Sequence, residues 1–516
     1  MAGRRLMLLL LVAAASLAAG AASGSKYMRF DLLRRRPASL AELWRMDRER
    51  MAFIAARRGR GRRRTTETHS ASKSKLAKGY YHPGPAPPAG DEAFAMPLSS
   101  GAYTGTGQYF VIFRVGTPAQ PFLLVADTGS DLTWVKCRRP ADPAADYGAT
   151  WNDTSSLSAS PRAFRPDKSR TWRPIPCSSD TCVESLPFSL AACPTPGSPC
   201  AYDYRSVPAP SNNTLFAYKD GSAARGTVGT DSATIALSAG RGAKRTKLRG
   251  VVLGCTTAYN GDSFLASDGV LSLGYSNISF ASHAASRFGG RFSYCLVDHL
   301  APRNETSYLT FGPNPAVSPP PTPPLKPACA SAHAPPRPPP GARQTPLVLD
   351  RRTHPFYAVT VNGVSVDGKL LKIPRHVWDV ERGGGTILDS GTSLTVLARP
   401  AYRAVVAALS EKLAGVPRVT MDPFDYCYNW TSPATGEDLL DVPVPTLAVH
   451  FAGAARLEPP AKSYLIDAAP GVKCIGLQEG EWPGVSVIGN ILQQEHLWEF
   501  DLKNRRLRFM RSRCTR

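Results

Sequence analysis

Short apolar segments separated by turn residues dominate the chain. Tyr109–Val115 (YFVIFRV) and Phe122–Ala126 (FLLVA) are rich in β-branched and aromatic residues, and Gly116-Thr117-Pro118 separates them. This pattern predicts a β-hairpin. The segment Phe356–Val366 (FYAVTVNGVSV) likewise predicts two strands joined by a turn at Asn362-Gly363.

Helical periodicity is clearest from about Pro400 to Leu413. Val405, Val406 and Leu409 fall on one face of this segment, and Pro400 suits the first turn of a helix. The 516 residues include 43 Gly and 47 Pro, a balance that favours turn-rich β structure over a helical bundle. No apolar run beyond the N-terminus reaches about 18 residues, so we predict no membrane span there.

The first hundred residues differ from the rest in charge and hydropathy. Arg4 and Arg5 precede the apolar run Leu6–Leu17 and the small residues Ala19-Gly20-Ala21, which is the pattern of a secretory signal over residues 1–21. An N-terminal membrane anchor and a plastid transit peptide are the alternatives. The net charge is +22, and residues 1–100 carry +12 of it, from 19 Lys or Arg against 7 Asp or Glu.

Residues 22–98 are predicted to be a basic pro-segment. Its densest run, Arg57–Arg64, could bind nucleic acid or another anionic surface. A solvated segment that is removed after export is the interpretation we favour. A second break in composition, Pro-rich and spanning 312–344, predicts an extended insert between two larger parts, 99–311 and 345–516.

An internal repeat carries the candidate chemistry. Val125-Ala126-Asp127-Thr128-Gly129-Ser130 recurs as Ile387-Leu388-Asp389-Ser390-Gly391-Thr392, 262 residues later (389 minus 127). One such tetrapeptide is weak evidence, because Asp, Gly and Ser also form ordinary turns. Two copies, each after an apolar strand and in opposite halves, indicate a paired site.

Two adjacent carboxylates explain the residue types of the repeat. They cannot both ionise cheaply, so they share one proton, and the pair can activate a water while protonating a carbonyl oxygen. Glycine permits the tight turn, and the hydroxyls of Thr128, Ser130, Ser390 and Thr392 can orient the acids. The chemistry requires no cofactor, and we predict none. No metal site is predicted either, since the chain has no CxxC pair and no His cluster at ligand spacing.

With these motifs the sequence resembles the pepsin-like aspartic protease family, and within it the plant nepenthesin-type branch. Further landmarks match: Trp134 after the first Asp loop, and Tyr218-Lys219-Asp220-Gly221-Ser222 as the flap, with Tyr218 over the cleft. Val487-Ile488-Gly489 matches the apolar-apolar-Gly brace of the second Asp loop. Lys219 and Ser272 stand where the family usually has glycine. The resemblance implies a mainly β, bilobal fold with an active-site cleft between the lobes.

The resemblance also implies how the cysteines pair. Eleven are present, and in an exported chain this number suggests disulfides with one thiol left over. The expected bonds are Cys137–Cys255, Cys177–Cys200, Cys182–Cys193, Cys295–Cys514 and Cys427–Cys474, which leave Cys329 free. Five N-x-S/T sequons predict surface glycosylation at Asn152, Asn212, Asn277, Asn304 and Asn429.

The predicted function is an aspartic endopeptidase with an acidic optimum, cleaving polypeptides with Asp127 and Asp389. We expect a secreted monomer of the cell wall, with vacuole or plastid as alternative destinations. The pro-segment is expected to be its intramolecular inhibitor, with basic side chains facing the ionised carboxylates. A binding or inhibitor protein that has lost catalysis is the alternative, although both Asp motifs are intact. Nucleic-acid binding through the basic pro-segment is disfavoured.

Overall fold

The computed structural model describes residues 40–45, 47–48, 50–51, 94–100, 107–138, 152–153, 162–186, 195, 197–203, 223–237, 244–260, 264, 267–302, 305, 307–314, 316–317, 340–431 and 442–515. Strands predominate within these ranges. The 28 strands of the described part are, in chain order, β1 Phe94–Ser100, β2 Tyr109–Val115, β3 Gln120–Asp127, β4 Thr133–Lys136, β5 Asn152–Asp153, β6 Arg173–Pro174, β7 Ala201–Asp203, β8 Ala223–Leu237, β9 Lys244–Asn260, β10 Gly269–Ser272, β11 Arg291–Cys295, β12 Ser307–Phe311, β13 Arg343–Val348, β14 Tyr357–Val359, β15 Val361–Val366, β16 Lys369–Leu370, β17 Thr386–Asp389, β18 Thr395–Ala398, β19 Arg418–Met421, β20 Phe424–Asn429, β21 Leu447–Phe451, β22 Arg456–Leu457, β23 Leu465–Ala469, β24 Val472–Ile475, β25 Leu477–Gly480, β26 Ser486–Gly489, β27 His496–Asp501 and β28 Arg506–Arg511.

Twenty of these strands form one sheet that links the two halves of the chain. The link runs through β11, which pairs with β12 on one side and with β27 on the other, so that Phe292 lies opposite Phe500. Two four-stranded sheets, β16-β15-β21-β22 and β19-β20-β24-β23, complete the second half. Strand β1 begins at Phe94 and pairs with β2, β8 and β12, so the sheet starts inside the range assigned to the pro-segment.

The first predicted hairpin is confirmed, and the second is wrong. Strands β2 and β3 pair antiparallel with Val115 opposite Gln120, as the turn residues indicated. Asn362-Gly363, in contrast, lies inside β15, where the register with β21 shifts between Val361 and Gly363. An Asn-Gly pair can occupy a bulge within a strand as readily as a tight turn, because both need an irregular backbone.

Two α-helices, α1 Phe280–Arg287 and α2 Arg399–Lys412, are present in addition to a helical segment at residues 40–45, 47–48 and 50–51. Ser279 caps α1 by accepting a hydrogen bond from the N–H of Ser282. Pro400 lies in the first turn of α2, as predicted. Shorter 3₁₀ segments are Pro166–Lys168, Arg375–Trp378, Ala452–Ala454 and Ala461–Ser463, and Thr181–Ser185 is a π-turn.

Three of the expected disulfides are present, Cys137–Cys255, Cys295–Cys514 and Cys427–Cys474. The pairs Cys177–Cys200 and Cys182–Cys193 are wrong, because Cys182 bonds to Cys200. The backbone explains the difference. Pro176 pairs with Pro199 in an isolated antiparallel β-bridge, and the N–H of Cys177 donates to the carbonyl of Ser198. Cys177 therefore lies opposite Ser198 rather than Cys200. Cys177 is itself disulfide-bonded. Cys193 and Cys329 lie outside the described residues.

Candidate active site

The first Asp loop begins where a buried strand ends. Asp127 is the last residue of β3, which runs parallel to β10 with Ser272 opposite Asp127. The carboxylate is 2% exposed. Ser272 fits here because its hydroxyl lies 2.7 Å from that of Thr133 and accepts the N–H of Phe280 at 2.9 Å. The serine that departs from the family pattern is therefore fully hydrogen-bonded.

The second Asp loop repeats this arrangement. Asp389 is the last residue of β17, which runs parallel to β26 with Gly489 opposite Asp389. A Cβ on Gly489 would lie 2.5 Å from the carbonyl oxygen of Leu394 and 2.6 Å from that of Ser393. Glycine is required at this position because the loop backbone passes too close for any side chain.

The two loops bind each other through their hydroxyl residues. The N–H of Thr128 donates to Oγ of Ser390 at 3.0 Å, and the N–H of Ser390 donates to Oγ1 of Thr128 at 2.9 Å. Ser390 also donates its hydroxyl to the carbonyl of Ala126 at 2.9 Å. This reciprocal pair fixes the separation of the two aspartates, which are 262 residues apart in sequence.

Each loop orients its own carboxylate in the same way. Gly129 donates its N–H to Oδ1 of Asp127 at 2.8 Å, and Ser130 donates its hydroxyl to Oδ2. Gly391 donates to Oδ1 of Asp389 at 3.0 Å, and Thr392 to Oδ2 at 2.6 Å. All eight loop residues predicted from the repeat are thus brought together at one buried site.

A guanidinium from the N-terminal part of the chain lies between the two carboxylates. Nη2 of Arg50 is 2.5 Å from Oδ1 of Asp127 and 2.7 Å from Oδ1 of Asp389, and Nε is 2.5 Å from Oδ2 of Asp389. Two oxygens sharing one nitrogen at these distances are at most 5.2 Å apart. The Arg50 side chain is 11% exposed, so the three charges form a nearly buried triad.

Arg50 belongs to a helical segment, which we call the N-terminal helix and define as residues 40–45, 47–48 and 50–51. One turn before Arg50, Asp47 accepts the N–H of Ser393 at 2.7 Å and that of Leu394 at 2.5 Å. These two donors directly follow the second Asp loop. Asp47 is 2% exposed and so anchors the helix by backbone hydrogen bonds beside the aspartates.

Apolar contacts hold the beginning of the N-terminal helix. Leu40 and Leu43 are 4% and 1% exposed. They pack in one cluster whose other buried members are Leu394, Phe424, Cys427, Ile466, Cys474 and Ile491. The backbone carbonyl of Trp44 accepts a bond from Nε2 of Gln478 at 3.1 Å. The helix is therefore anchored along its length on the second half of the molecule.

The charges at the site shift the pKa values of the groups in contact. Burial alone would raise the pKa of Asp127, but the Arg50 charge, the Ser130 hydroxyl and the Gly129 N–H lower it below the ordinary value. Burial opposes the charged form of Arg50 as well, and the two carboxylates outweigh it and raise its pKa. Burial raises the pKa of Asp47 to about 7, against its two N–H partners and Arg50.

The remaining predicted cleft residues have different outcomes. Trp134 is fully buried in β4 and packs edge-on against Phe264, with ring centroids 4.8 Å apart. Its indole N–H has no hydrogen-bond partner among the described residues. Tyr218 and Lys219 lie outside the described residues, so the structure provides no position for the flap.

Of the predicted glycosylation sites, Asn277 is exposed and Asn429 is half-buried. Oδ1 of Asn429 accepts both the N–H and the hydroxyl of Thr431, at 3.1 and 2.5 Å. Asn152 is the first residue of β5. Asn212 and Asn304 lie outside the described residues.

Sequence reasoning expected basic side chains of the pro-segment to face the carboxylates, but it missed which ones. The conspicuous run Arg57–Arg64 drew attention, whereas the residue at the site is Arg50. A usable signal was present: Asp47 and Arg50 are three residues apart in a short helix-forming segment, so they share a face. Opposite charges on one helical face, close to apolar Leu40 and Leu43, are typical of a docked helix.

The close approach at Gly489 leads to a stability prediction. Gly489→Ala is expected to lower the free energy of unfolding by about 1–3 kcal/mol, because the new methyl group must displace the backbone carbonyls of Ser393 and Leu394. Ser272→Ala, at the equivalent place in the first lobe, adds no steric conflict but leaves the buried N–H of Phe280 without its acceptor, at a cost of about 1–3 kcal/mol. Thermal unfolding of both variants would measure the difference. A melting temperature of Gly489→Ala equal to that of the unchanged protein would contradict the brace argument.

Comparisons with known proteins agree with this geometry. A family model described as xylanase inhibitor N-terminal matches residues 109–313, and one described as xylanase inhibitor C-terminal matches residues 356–511. Aspartyl protease family protein 2 of Arabidopsis thaliana is 33% identical over 427 residues, which are 82% of this chain and 74% of that protein. The chain therefore belongs to the pepsin-like aspartyl protease family.

Aspartic proteinase nepenthesin-2 of Nepenthes gracilis is 27% identical over 81% of this chain and 80% of its own, so the chain is also similar to the nepenthesins. The crystal structure of edgp shares its fold with a TM-score of 0.57 at 21% identity, and soybean basic 7S globulin with 0.54 at 18%. These two cover 83% and 82% of this chain, and 97% of each of those chains.

No helix among the described residues is both long and apolar enough to span a membrane. No group of three or more His, Cys, Asp or Glu side chains there could hold a metal ion.

Proposed function

We propose that this protein is the precursor of an aspartic endopeptidase in which Asp127 and Asp389 activate the hydrolytic water. The observation that carries the proposal is the pair of equivalent loops, which bring both carboxylates onto one shared cation. Once Arg50 leaves, two buried carboxylates at most 5.2 Å apart have no cation between them. Such a pair retains one proton.

Peptide hydrolysis then needs no further group. The ionised aspartate accepts a proton from a water held between the two acids, while the protonated one donates to the scissile carbonyl oxygen. Ser130 and Thr392 fix the outer oxygen of each acid, so the inner oxygens face the water. Because the pair must hold one proton, we expect an acidic optimum.

The N-terminal helix is proposed to be the inhibitory part of the pro-segment. Arg50 occupies the place between the acids where the water must bind, and it keeps both acids ionised by pairing with them. Asp47 and the buried leucines hold the helix against the second half of the molecule. The arrangement with Arg50 in place is therefore the inactive form.

Relatives named as aspartic proteases support catalysis, and a second function is favoured by a separate observation. Among solved structures that share the fold is a seed globulin, and the matching family models are described as xylanase inhibitor domains. A catalytically inactive binding protein is therefore the alternative. The intact dyad geometry favours the peptidase.

The deciding experiment is cleavage of a peptide library by the purified chain at acidic pH, before and after removal of the pro-segment. Hydrolysis that a statine-type transition-state mimic blocks would support the proposal. Absence of hydrolysis after complete processing would favour the binding protein. An unprocessed precursor that is fully active at neutral and acidic pH would contradict the inhibitory role of the N-terminal helix.

Export to the cell wall is proposed from the signal-like N-terminus and the disulfides. Sequencing the N-terminus of the protein recovered from plant tissue, with separate wall, vacuole and plastid fractions, would test it. A chain that retains residues 22–64 and is found in plastids would support the nucleic-acid alternative instead.

A further inference from the structure

Four cationic side chains converge on a cavity formed by a strand and a helix of the first half. Arg245 and Lys247 alternate along β9 and so lie on one face of the strand, about 7 Å apart, and Arg249 follows in the bulge between Leu248 and Val251. Arg287, the last residue of α1, joins them. The cavity is open to solvent, has a volume of about 660 Å³, and is also lined by His283 and Ser286.

The helix α1 fixes the geometry of this cationic cavity. Nη1 of Arg287 donates to the carbonyl of Lys247 at 3.1 Å, and Nε2 of His283 contacts the carbonyl of Arg249 at 2.8 Å. Beneath them Leu248 packs in the core with residues of α1. The strand and the helix are therefore held together by both backbone contacts and apolar packing.

The positive charge of the cavity is not neutralised by the described part of the chain. Among the described residues, none of the four cations forms an ion pair, and Lys247 donates instead to the hydroxyl of Thr117 at 2.9 Å. Clustered like charges repel one another, so an arrangement of this kind favours an anion from outside. Burial lowers the pKa of His283, and the Arg287 charge acts in the same direction.

We infer that the cationic cavity binds an acidic polysaccharide built from uronic acids. Guanidinium groups bind carboxylates in a planar, two-point geometry, and a row of them fits a polymer with repeated carboxylates. Nucleic acid is the weaker ligand, because no aromatic side chain lines the cavity and single-stranded bases are bound chiefly by stacking. The disulfides also favour an oxidising compartment outside the cell, where acidic polysaccharides occur.

The test compares charge-neutral variants of the full-length chain. The cavity variant carries Arg245→Gln, Lys247→Gln, Arg249→Gln and Arg287→Gln. The matched control removes four exposed cations elsewhere, by Arg343→Gln, Lys369→Gln, Lys372→Gln and Arg375→Gln. Each is made also with Arg57, Arg58, Arg60, Arg62, Arg63 and Arg64 changed to Gln, so that the basic run cannot mask the result. Affinity for polygalacturonate is measured by calorimetry, at low salt and at about 0.15 M salt.

The cavity variant is expected to lose about fivefold or more in affinity, since each of the four exposed ion pairs contributes a factor of roughly 1.5 to 5. The control should lose less than the cavity variant in both backgrounds, and fully methyl-esterified polymer should not bind. Equal losses in the two variants would overturn the inference. Tighter binding of a DNA oligonucleotide through the same four residues would also overturn it. Melting temperatures verify that each variant is folded.

Discussion

Replacing either Asp127 or Asp389 by Asn is expected to reduce peptide hydrolysis by about 10²–10⁴-fold or more. An amide can neither accept the proton of the water nor supply one to the carbonyl oxygen. Asn has the same shape as Asp, so the bonds from Gly129 or Gly391 can persist and the loops should keep their positions. Initial rates on a peptide substrate, with the pro-segment removed beforehand by an added protease, measure the effect.

A buried aspartate away from the dyad provides the control. Asp231 is 2% exposed and accepts bonds from the N–H of Ser232 and the hydroxyl of Thr171. Asp231→Asn should cost stability, as any change at a buried hydrogen-bonded acid does, but should leave the rate close to that of the unchanged protein. Full activity of the Asp127→Asn or the Asp389→Asn variant would refute the mechanism.

The sequence predicted those parts of the site that depend on local structure. The two Asp loops follow from a strand, a turn glycine and neighbouring hydroxyls, and these features are contiguous in sequence. The reciprocal bonds between Thr128 and Ser390 follow from the repeat once the loops face each other. The disulfide between Cys182 and Cys200 could not be predicted in this way, because it depends on the register in which residues 175–177 lie against residues 198–200.

The role of Asp47 could not be predicted from composition. Its partners are two backbone N–H groups, and backbone groups carry no sequence signature. The sequence indicated a basic segment that faces the acids, but many Arg residues in 22–98 could have met that expectation. The packing of Leu40 and Leu43, together with the bonds to Asp47, specifies which turn of the helix reaches the dyad.

Arg50→Gln is expected to open the cleft of the uncleaved precursor. Removing one member of a buried ionic group costs about 3–5 kcal/mol, because the remaining charges lose their partner. Docking of the N-terminal helix should weaken accordingly. A statine-type inhibitor should therefore bind the uncleaved Arg50→Gln precursor about 10²-fold more tightly, or better, than it binds the uncleaved precursor that retains Arg50. Inhibitor affinity is measured by calorimetry, on chains verified intact by electrophoresis.

Arg48→Gln is the matched control for this prediction. Arg48 is exposed on the same helix and stacks over the ring of Trp44 at 4.8 Å, without contact to either aspartate. Like Arg50→Gln, the substitution Arg48→Gln removes one positive charge from the N-terminal helix, but it should leave inhibitor affinity nearly unchanged. Asp47→Ala should open the cleft as Arg50→Gln does, because the N–H groups of Ser393 and Leu394 lose their acceptor. If neither Arg50→Gln nor Asp47→Ala changes affinity, the helix does not inhibit.

Docking of the N-terminal helix should also depend on pH in two opposite ways. The pKa of Asp127 is lowered in the docked form, so its contribution is present above the ordinary value of 3.8 and is lost as the pH falls. The pKa of Asp47 is raised to about 7, so its contribution is complete below 3.8 and is lost as the pH rises through 7. The Asp47 contribution declines progressively from 3.8 to about 7, so docking should be strongest near pH 4 and weaken on both sides of it.

The difference in fluorescence between the chain and its Trp44→Phe variant would follow docking, because Trp44 is half-buried on the helix. Read within seconds of a pH jump, before any self-cleavage, it should change as the pH falls below this optimum and as it rises above it. Asp47→Asn should abolish the change near pH 7 and leave the acidic one, since an amide does not titrate. An unchanged transition near pH 7 in this variant would show that another group controls it. If Asp47→Asn does abolish the change near pH 7, release of the helix in acid depends on the dyad, and release above neutrality depends on Asp47.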